Sequence, residues 1–460
     1  MTKLEKFIYD LIFGKKKDLR HENELKWGKL SQKAPNENQL ILGEGVYSDI
    51  WKDSLCCSNN TLVIGSGGIG TRYHYIEPNL LSGNTNYVIV DFHGEMQRKY
   101  AETLKATGFD VKCVDISFQS EDCVNFNPFT YLETEKDICV MADILIESCA
   151  TEFGKREPFY DKQSEMVLRS LICYVKDSFP KREQSLYTLY KVFDKNVCAK
   201  SDDPLGPDMV ENYLIMMKEY CEKFPAGFGA LCYRSVREGS TRLTLQSTLL
   251  VLAAEFFSWI KTMYNEKQHL AENDGVDFTS FRDKKSVLFL NISEFDRSFN
   301  SYYKLCIWQA YNSFLQEKTI KKQAVHFILD GFGICCIPDI NTFLAVGRPS
   351  GIITSIIIQN LDQLKQGIKN DDKFDVILST SKNILYFGGG DLSTYNFILD
   401  LFERTASKSG KRYVLAPDEL MRMPAENCII FKRGDPPYYT KKFDLLKYPI
   451  FFEKIKEIFK

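Results

Sequence analysis

Short runs of aliphatic and β-branched residues alternate along this chain with stretches of helical spacing. Thr61–Ile64, Tyr87–Val90 (which ends on Asp91) and Val111–Ile116 are apolar runs of strand length. Between them stand a helix-like segment that follows a cluster of glycines and an amphipathic helix, Gln97–Thr107. Strand, helix, strand, helix, strand predicts a doubly wound, mainly parallel sheet. A short strand, Gln39–Leu42, precedes it after a polar link, Ser31–Asn38. From Lys136 to Asn265 the spacing is helical nearly throughout: Ile138–Ala150, Lys162–Ser178, Leu186–Phe193, Met209–Lys223 and Ser240–Tyr264. Breaks rich in Gly, Pro and Asp fall at Ser201–Pro207 and Pro225–Gly229. Strand-like runs resume at Ser286–Asn291, Val325–Leu329, Ile352–Gln359 and Ile384–Phe387, with helices over Tyr302–Glu317 and near Ile340–Ala345. The pattern predicts an α/β domain whose sheet is finished from both sides of an all-helical insertion. Its divisions fall at 1–38, 39–134, 135–270 and 271–460, the second and fourth being the two parts of one domain.

Residues 2–19 place Leu4, Phe7, Ile8, Leu11 and Ile12 on one helical face, with lysines opposite and Lys15-Lys16-Lys17 after Gly14. Such a helix either lies on an anionic membrane surface or docks its stripe on the main body; base rates favour docking. The 59 Lys and Arg nearly balance the 61 Asp and Glu, so any basic surface for nucleic acid must be local. The 14 cysteines include no C-x-x-C pair, and Cys56-Cys57 and Cys335-Cys336 sit in apolar surroundings. Reduced thiols in a cytosolic protein are the expectation. No uninterrupted apolar run approaches the roughly 20 residues of a membrane helix, so none is expected.

The candidate chemistry starts where the first run enters Gly65-Ser66-Gly67-Gly68-Ile69-Gly70, followed by Thr71 and Arg72. Gly65, Gly67 and Gly70 fit the dinucleotide fingerprint G-x-G-x-x-G, with Asp91 about twenty residues on as a ribose-binding acid. Gly65 and Gly70 equally fit a phosphate-binding P-loop, G-x-x-x-x-G-K-[ST], with Thr71 and Arg72 at the Lys and Ser/Thr positions. Asp330 ends the run Val325–Leu329 as a Walker B aspartate would, holding Mg2+ through water, although such an Asp is also a common helix cap. Gly331 stands where the water-orienting Glu of a hydrolase is usual. Gln359 ends the next strand, either sensing a γ-phosphate or facing solvent. Lys432, Arg433, Lys441, Lys442 and Lys447 interleave with Tyr438, Tyr439 and Phe443, as a nucleic-acid surface or an ordinary exposed hairpin.

In order along residues 39–450, these landmarks resemble the TraG/VirD-type coupling proteins of type IV secretion and conjugation. The glycine loop runs without a gap to Pro78-Asn79, as in the family's P-loop and following helix. Asp91, Gly94 and Glu95 match its Asp-Pro-Lys-Gly-Glu segment, and Asn125-Phe126-Asn127-Pro128-Phe129 its N-x-N-P-F turn. The Walker B block keeps Phe332 and Ile337-Pro338-Asp339; the sensor segment keeps Gly347, Arg348, Gly351, Gln359, Gln363 and Leu364. The segments ending in Phe402 and Pro449 follow the C-terminal pattern. Seven such matches in order are specific where each alone is weak. The resemblance favours the P-loop reading, and Pro78 with the bulky Tyr73, His74 and Tyr75 suits a dinucleotide helix poorly.

The resemblance implies a RecA-like P-loop fold and nucleotide contact through Gly65, Ser66, Gly67, Gly68, Ile69, Gly70, Thr71 and Arg72, with catalytic positions at Asp330 and Gln359 and the metal position at Asp330. It also implies a place in conjugative transfer, with DNA, a relaxase or an active coupling ATPase as partners and a homo- or hetero-hexameric ring as the assembly. The departures define the expectation. Thr71 cannot supply the P-loop charge, Arg72 cannot ligate a metal, and Gly331 lacks the carboxylate. Weak binding of ATP with Mg2+ and little or no hydrolysis are expected, in a cytoplasmic chain lacking the family's membrane helices and at most peripheral to the plasma membrane. A working ATPase rewired around Arg72 with Asp91 or Glu95, and a dinucleotide-binding regulator, are the alternatives.

Overall fold

The computed structural model describes residues 27–50, 59–116, 122–149, 158–199, 208–266, 275–292, 299–317, 323–368, 371–406 and 417–448. The 2–19 helix and Cys56-Cys57 fall outside them. Eleven strands are present among the described residues: β1 (Gln39–Gly43), β2 (Val46–Asp49), β3 (Thr61–Gly65), β4 (Asn86–Phe92), β5 (Asp110–Val114), β6 (Ser286–Ile292), β7 (Val325–Leu329), β8 (Ile352–Ile358), β9 (Asn383–Gly388), β10 (Asn427–Lys432) and β11 (Tyr438–Lys441). β1 and β2 form a separate hairpin, and the rest make one nine-stranded sheet in the order β11-β10-β9-β3-β8-β7-β4-β6-β5. From β9 to β5 every neighbouring pair is parallel, while β10 and β11 extend the edge antiparallel.

The central strands are buried at every position, as uninterrupted apolar runs require once both sheet faces are covered. Their two-residue period divides the core. Leu62, Ile64, Val88 and Val90 face the helical block, whereas Val63, Tyr87 and Ile89 face β1, Leu80 and the helix Glu95–Ala106. On the second face a buried polar chain crosses the sheet: the Tyr75 hydroxyl and His326 Nε2 each lie 2.7 Å from Ser355 Oγ.

The helical block comprises Glu135–Cys149, Pro158–Ser178, Leu186–Val192, Met209–Lys223 and Phe228–Gly239, then a nearly continuous run from Arg242 to Glu266. Its core is continuous with the sheet face through Met141, Leu145, Leu305 and Trp308. Two features differ from the sequence pattern. Pro225–Gly229 breaks only the preceding helix, because Phe228–Gly239 is helical. Gly229 is there for closeness, since a Cβ on it would sit 2.5 Å from Cys173 Cβ on the neighbouring helix. The last run also contains a π turn at Leu252–Phe256, which hydrophobic spacing does not reveal. Its span Arg242–Lys261 has the length and apolarity of a membrane helix, with 44% of its most apolar window buried in the protein. Leu245, Leu249, Leu252, Phe256 and Ile260 pack into the common core. Among the described residues it is the one such helix.

Candidate functional site

The site forms where β3, β8 and β7 reach their C-terminal ends side by side. β3 delivers the glycine loop: the Ser66 N–H donates to Gly388 O at 3.2 Å, Ile69 N–H to Ser66 O at 3.2 Å, and His74 N–H to Gly70 O at 2.9 Å. Thr71 already has helical backbone angles and makes no side-chain cap, so the loop runs straight into the π turn Arg72–Ile76 and the helix Glu77–Ser82. First-turn amides of such a segment, together with the loop amides, form an anion-binding end.

Beneath the loop lies the C-terminal segment that follows β11. Lys442 is buried, and its Nζ donates to Ile69 O at 2.9 Å while lying 5.4 Å from the Phe387 ring centroid. Burial holds its pKa below the ordinary lysine value. His74 Nδ1 meets Phe443 O at 2.8 Å, and burial lowers its pKa as well. The basic–aromatic cluster is therefore an edge hairpin in which Lys432, Arg433, Lys442 and Lys447 have protein partners and Lys441 is exposed. Lys432 pairs with Asp435, Arg433 with Ser379 O, and Lys447 with Glu44 and Asp444.

A cavity of about 360 Å³ opens over the loop, lined by Gly65–Gly68, Gly70, Thr71, Arg72, Phe92, Asp330, Gly331, Gln359 and Gln363 among others. Nine of the ten residues expected there from sequence converge on this cavity; Ile69 does not line it and instead offers its carbonyl to Lys442. Gln359 is exposed at the end of β8, its N–H held by Gln363 Oε1 at 2.8 Å. Arg72 reaches across: one guanidinium nitrogen hydrogen-bonds the Glu95 carboxylate, and the other lies 3.8 Å from Asp330 Oδ2. Asp91, fully buried, accepts from the Met96 and Gln97 amides at 3.1 and 2.8 Å. Burial raises its pKa, against the opposing pull of those amides and of Arg72.

Phe92 is the residue the sequence did not single out. Gly331 adopts φ +62°, and a Cβ there would fall 2.5 Å from Phe92 Cζ. The ring fills the space into which a carboxylate at 331 would project. Its signal was present, because Phe92 stands where the family's Asp-Pro-Lys-Gly-Glu segment has Pro. Lys442 was visible only as one cation of a cluster.

A dinucleotide fold places the acid on the strand next to the glycine loop. Here β4 lies three places from β3, beyond β8 and β7, and Asp91 is committed to capping a helix. Mg2+ fits no better. The position after Thr71 carries a guanidinium in place of a hydroxyl, and that cation already faces Asp330.

A glycine loop leaving the middle of a parallel sheet, with the Asp-ended strand two places away and a Gln-ended strand between, is the frame of the RecA-like P-loop fold. The chain belongs to the type IV secretory system conjugative DNA transfer family, which matches it over residues 13–399. Among solved structures it is similar to the bacterial conjugative coupling protein TrwBdeltaN70 in an unbound form, at 15% identity and TM-score 0.61 over 92% of each chain. The plasmid coupling protein TrwB in complex with ADP and Mg2+ is similar at 14% identity and TM-score 0.62, over 91% of this chain and 93% of that one. VirB4 of Thermoanaerobacter pseudethanolicus follows at 13% identity and TM-score 0.51, over 90% and 98%. No curated protein sequence matches the chain.

Proposed function

We propose that this protein serves conjugative DNA transfer as a coupling-protein scaffold that does not hydrolyse ATP efficiently. It recruits a DNA–relaxase or protein substrate, or joins a ring with an active coupling ATPase, and works at the cytoplasmic face of the transfer channel. One observation carries the reading: the Arg72 guanidinium lies between Glu95 and Asp330 where a P-loop enzyme needs a metal-bound phosphate. Thr71 brings no ammonium, and Phe92 excludes a water-orienting side chain at 331. Each missing group of this kind is typically worth ~10²–10³ in rate. TrwB has been seen with an ATP analogue and with ADP and Mg2+. The loop amides retained here support nucleotide binding in the same cavity, weakened by the lost lysine.

The rewired-ATPase alternative needs a free acid beside Arg72. Asp91 is buried under two amides, and Glu95 is paired with Arg72 itself. Neither stands ready to orient water.

In donor cells, deleting the chain should lower transfer by several powers of ten. Supplying the Asp330→Ala variant should restore it to within about tenfold of the unaltered protein, since only motor activity needs that carboxylate's metal. Transfer as low as in the deletion, with the variant folded, would show that Asp330 does motor chemistry.

A further inference from the structure

The cavity binds its nucleotide without a metal: we infer that the Arg72 guanidinium is a built-in cation that takes the place of Mg2+. The inference rests on the nucleotide reading above and specifies how phosphate charge is met.

Magnesium at a P-loop needs oxygen ligands at about 2.1 Å in octahedral array, one of them the hydroxyl after the P-loop lysine. Arg72 removes that ligand and puts a permanent positive charge in its place. It also engages the acids that would hold the hydrated ion, hydrogen-bonding Glu95 and standing 3.8 Å from Asp330 Oδ2. A divalent ion at Asp330 would meet this like charge at close range, in a site where Asp330 is only 17% exposed and screening is reduced. The side chain of Arg72 is 30% exposed, and Arg72 lines the cavity together with the residues of the glycine loop. A guanidinium has five donors in a planar fork. It can keep one hydrogen bond to Glu95 and turn the remaining edge to a phosphate, as a bidentate pair. The ligand class is a nucleoside di- or triphosphate in its metal-free form.

The test is titration of the full chain with a fluorescent ADP derivative and competition by ATP, at constant ionic strength, with Mg2+ or with EDTA. The dissociation constants in the two buffers should agree within about twofold. Arg72→Thr, which restores a hydroxyl and removes the guanidinium from beside Asp330, should lose about tenfold or more in EDTA and regain affinity with Mg2+. Arg72→Lys, which keeps the charge, should stay insensitive to Mg2+ and serves if Arg72→Thr fails to fold. Binding by the unaltered protein that requires Mg2+ overturns the inference and leaves the nucleotide reading standing. Absence of binding in both buffers removes the nucleotide reading itself, and the inference falls with it.

Discussion

Placing Glu at position 331 should destabilise the fold, and shortening Phe92 in the same chain should return part of that loss. Gly331 holds φ +62°, a region that costs a residue with a Cβ roughly 1–2 kcal/mol. The new Cβ would also lie 2.5 Å from Phe92 Cζ, an overlap relieved only by displacing a buried ring, at about 1–3 kcal/mol more. Gly331→Glu should therefore cost about 2–5 kcal/mol by urea denaturation. Phe92→Ala will itself be destabilising, because the ring is 6% exposed in the core. The double variant should be more stable than the sum of the singles by about 2 kcal/mol, the signature of a relieved clash. Strict additivity would mean that the ring and position 331 are independent. The pairing also bears on activity. Thr71→Lys, Arg72→Thr and Gly331→Glu should raise turnover only with Phe92→Ala present, and then by roughly 10²-fold or more.

Acidification should weaken the protein through His326. It is fully buried in β7, bonded through Nε2 to Ser355, with no partner for Nδ1, and burial pushes its pKa down to about 3. The unfolded chain binds this proton near pH 6.5 and the folded chain does not. Stability is thus fully present above 6.5 and falls as pH drops from there toward 3. Between pH 7 and pH 5 the loss from this one residue is about 2 kcal/mol. His326→Gln, which can keep a hydrogen bond to Ser355, should be less sensitive to the same change by that amount. Equal losses of unfolding free energy in the two proteins between these pH values would assign the acid sensitivity elsewhere.

The parallel strands of the sheet were legible because such strands, covered on both faces, must be largely apolar, and Ile352–Ile358, interrupted only by Thr354 and Ser355, reads that way in the bare sequence. The glycine loop and Asp330 were legible because each follows such a run. Strand order was not: nothing local in β8 says that it slips between β3 and β7, and this placement is what brings Gln359 into the cavity. Gly229 misleads for a related reason. A glycine required by a close helix crossing looks the same in sequence as one that ends a helix. Lys442 acts 373 residues away from Ile69, beyond the reach of any periodicity. Phe92 and Gly331 are two departures in sequence and a single packing event in space.

The proposed role needs a glycine-loop cradle that binds without its catalytic groups, and ATP turnover by the purified full chain decides whether it does. Measured with and without DNA, release of phosphate should not rise above the uncatalysed background, and Asp330→Ala should give the same trace. Robust turnover that Asp330→Ala abolishes would make the protein a working motor.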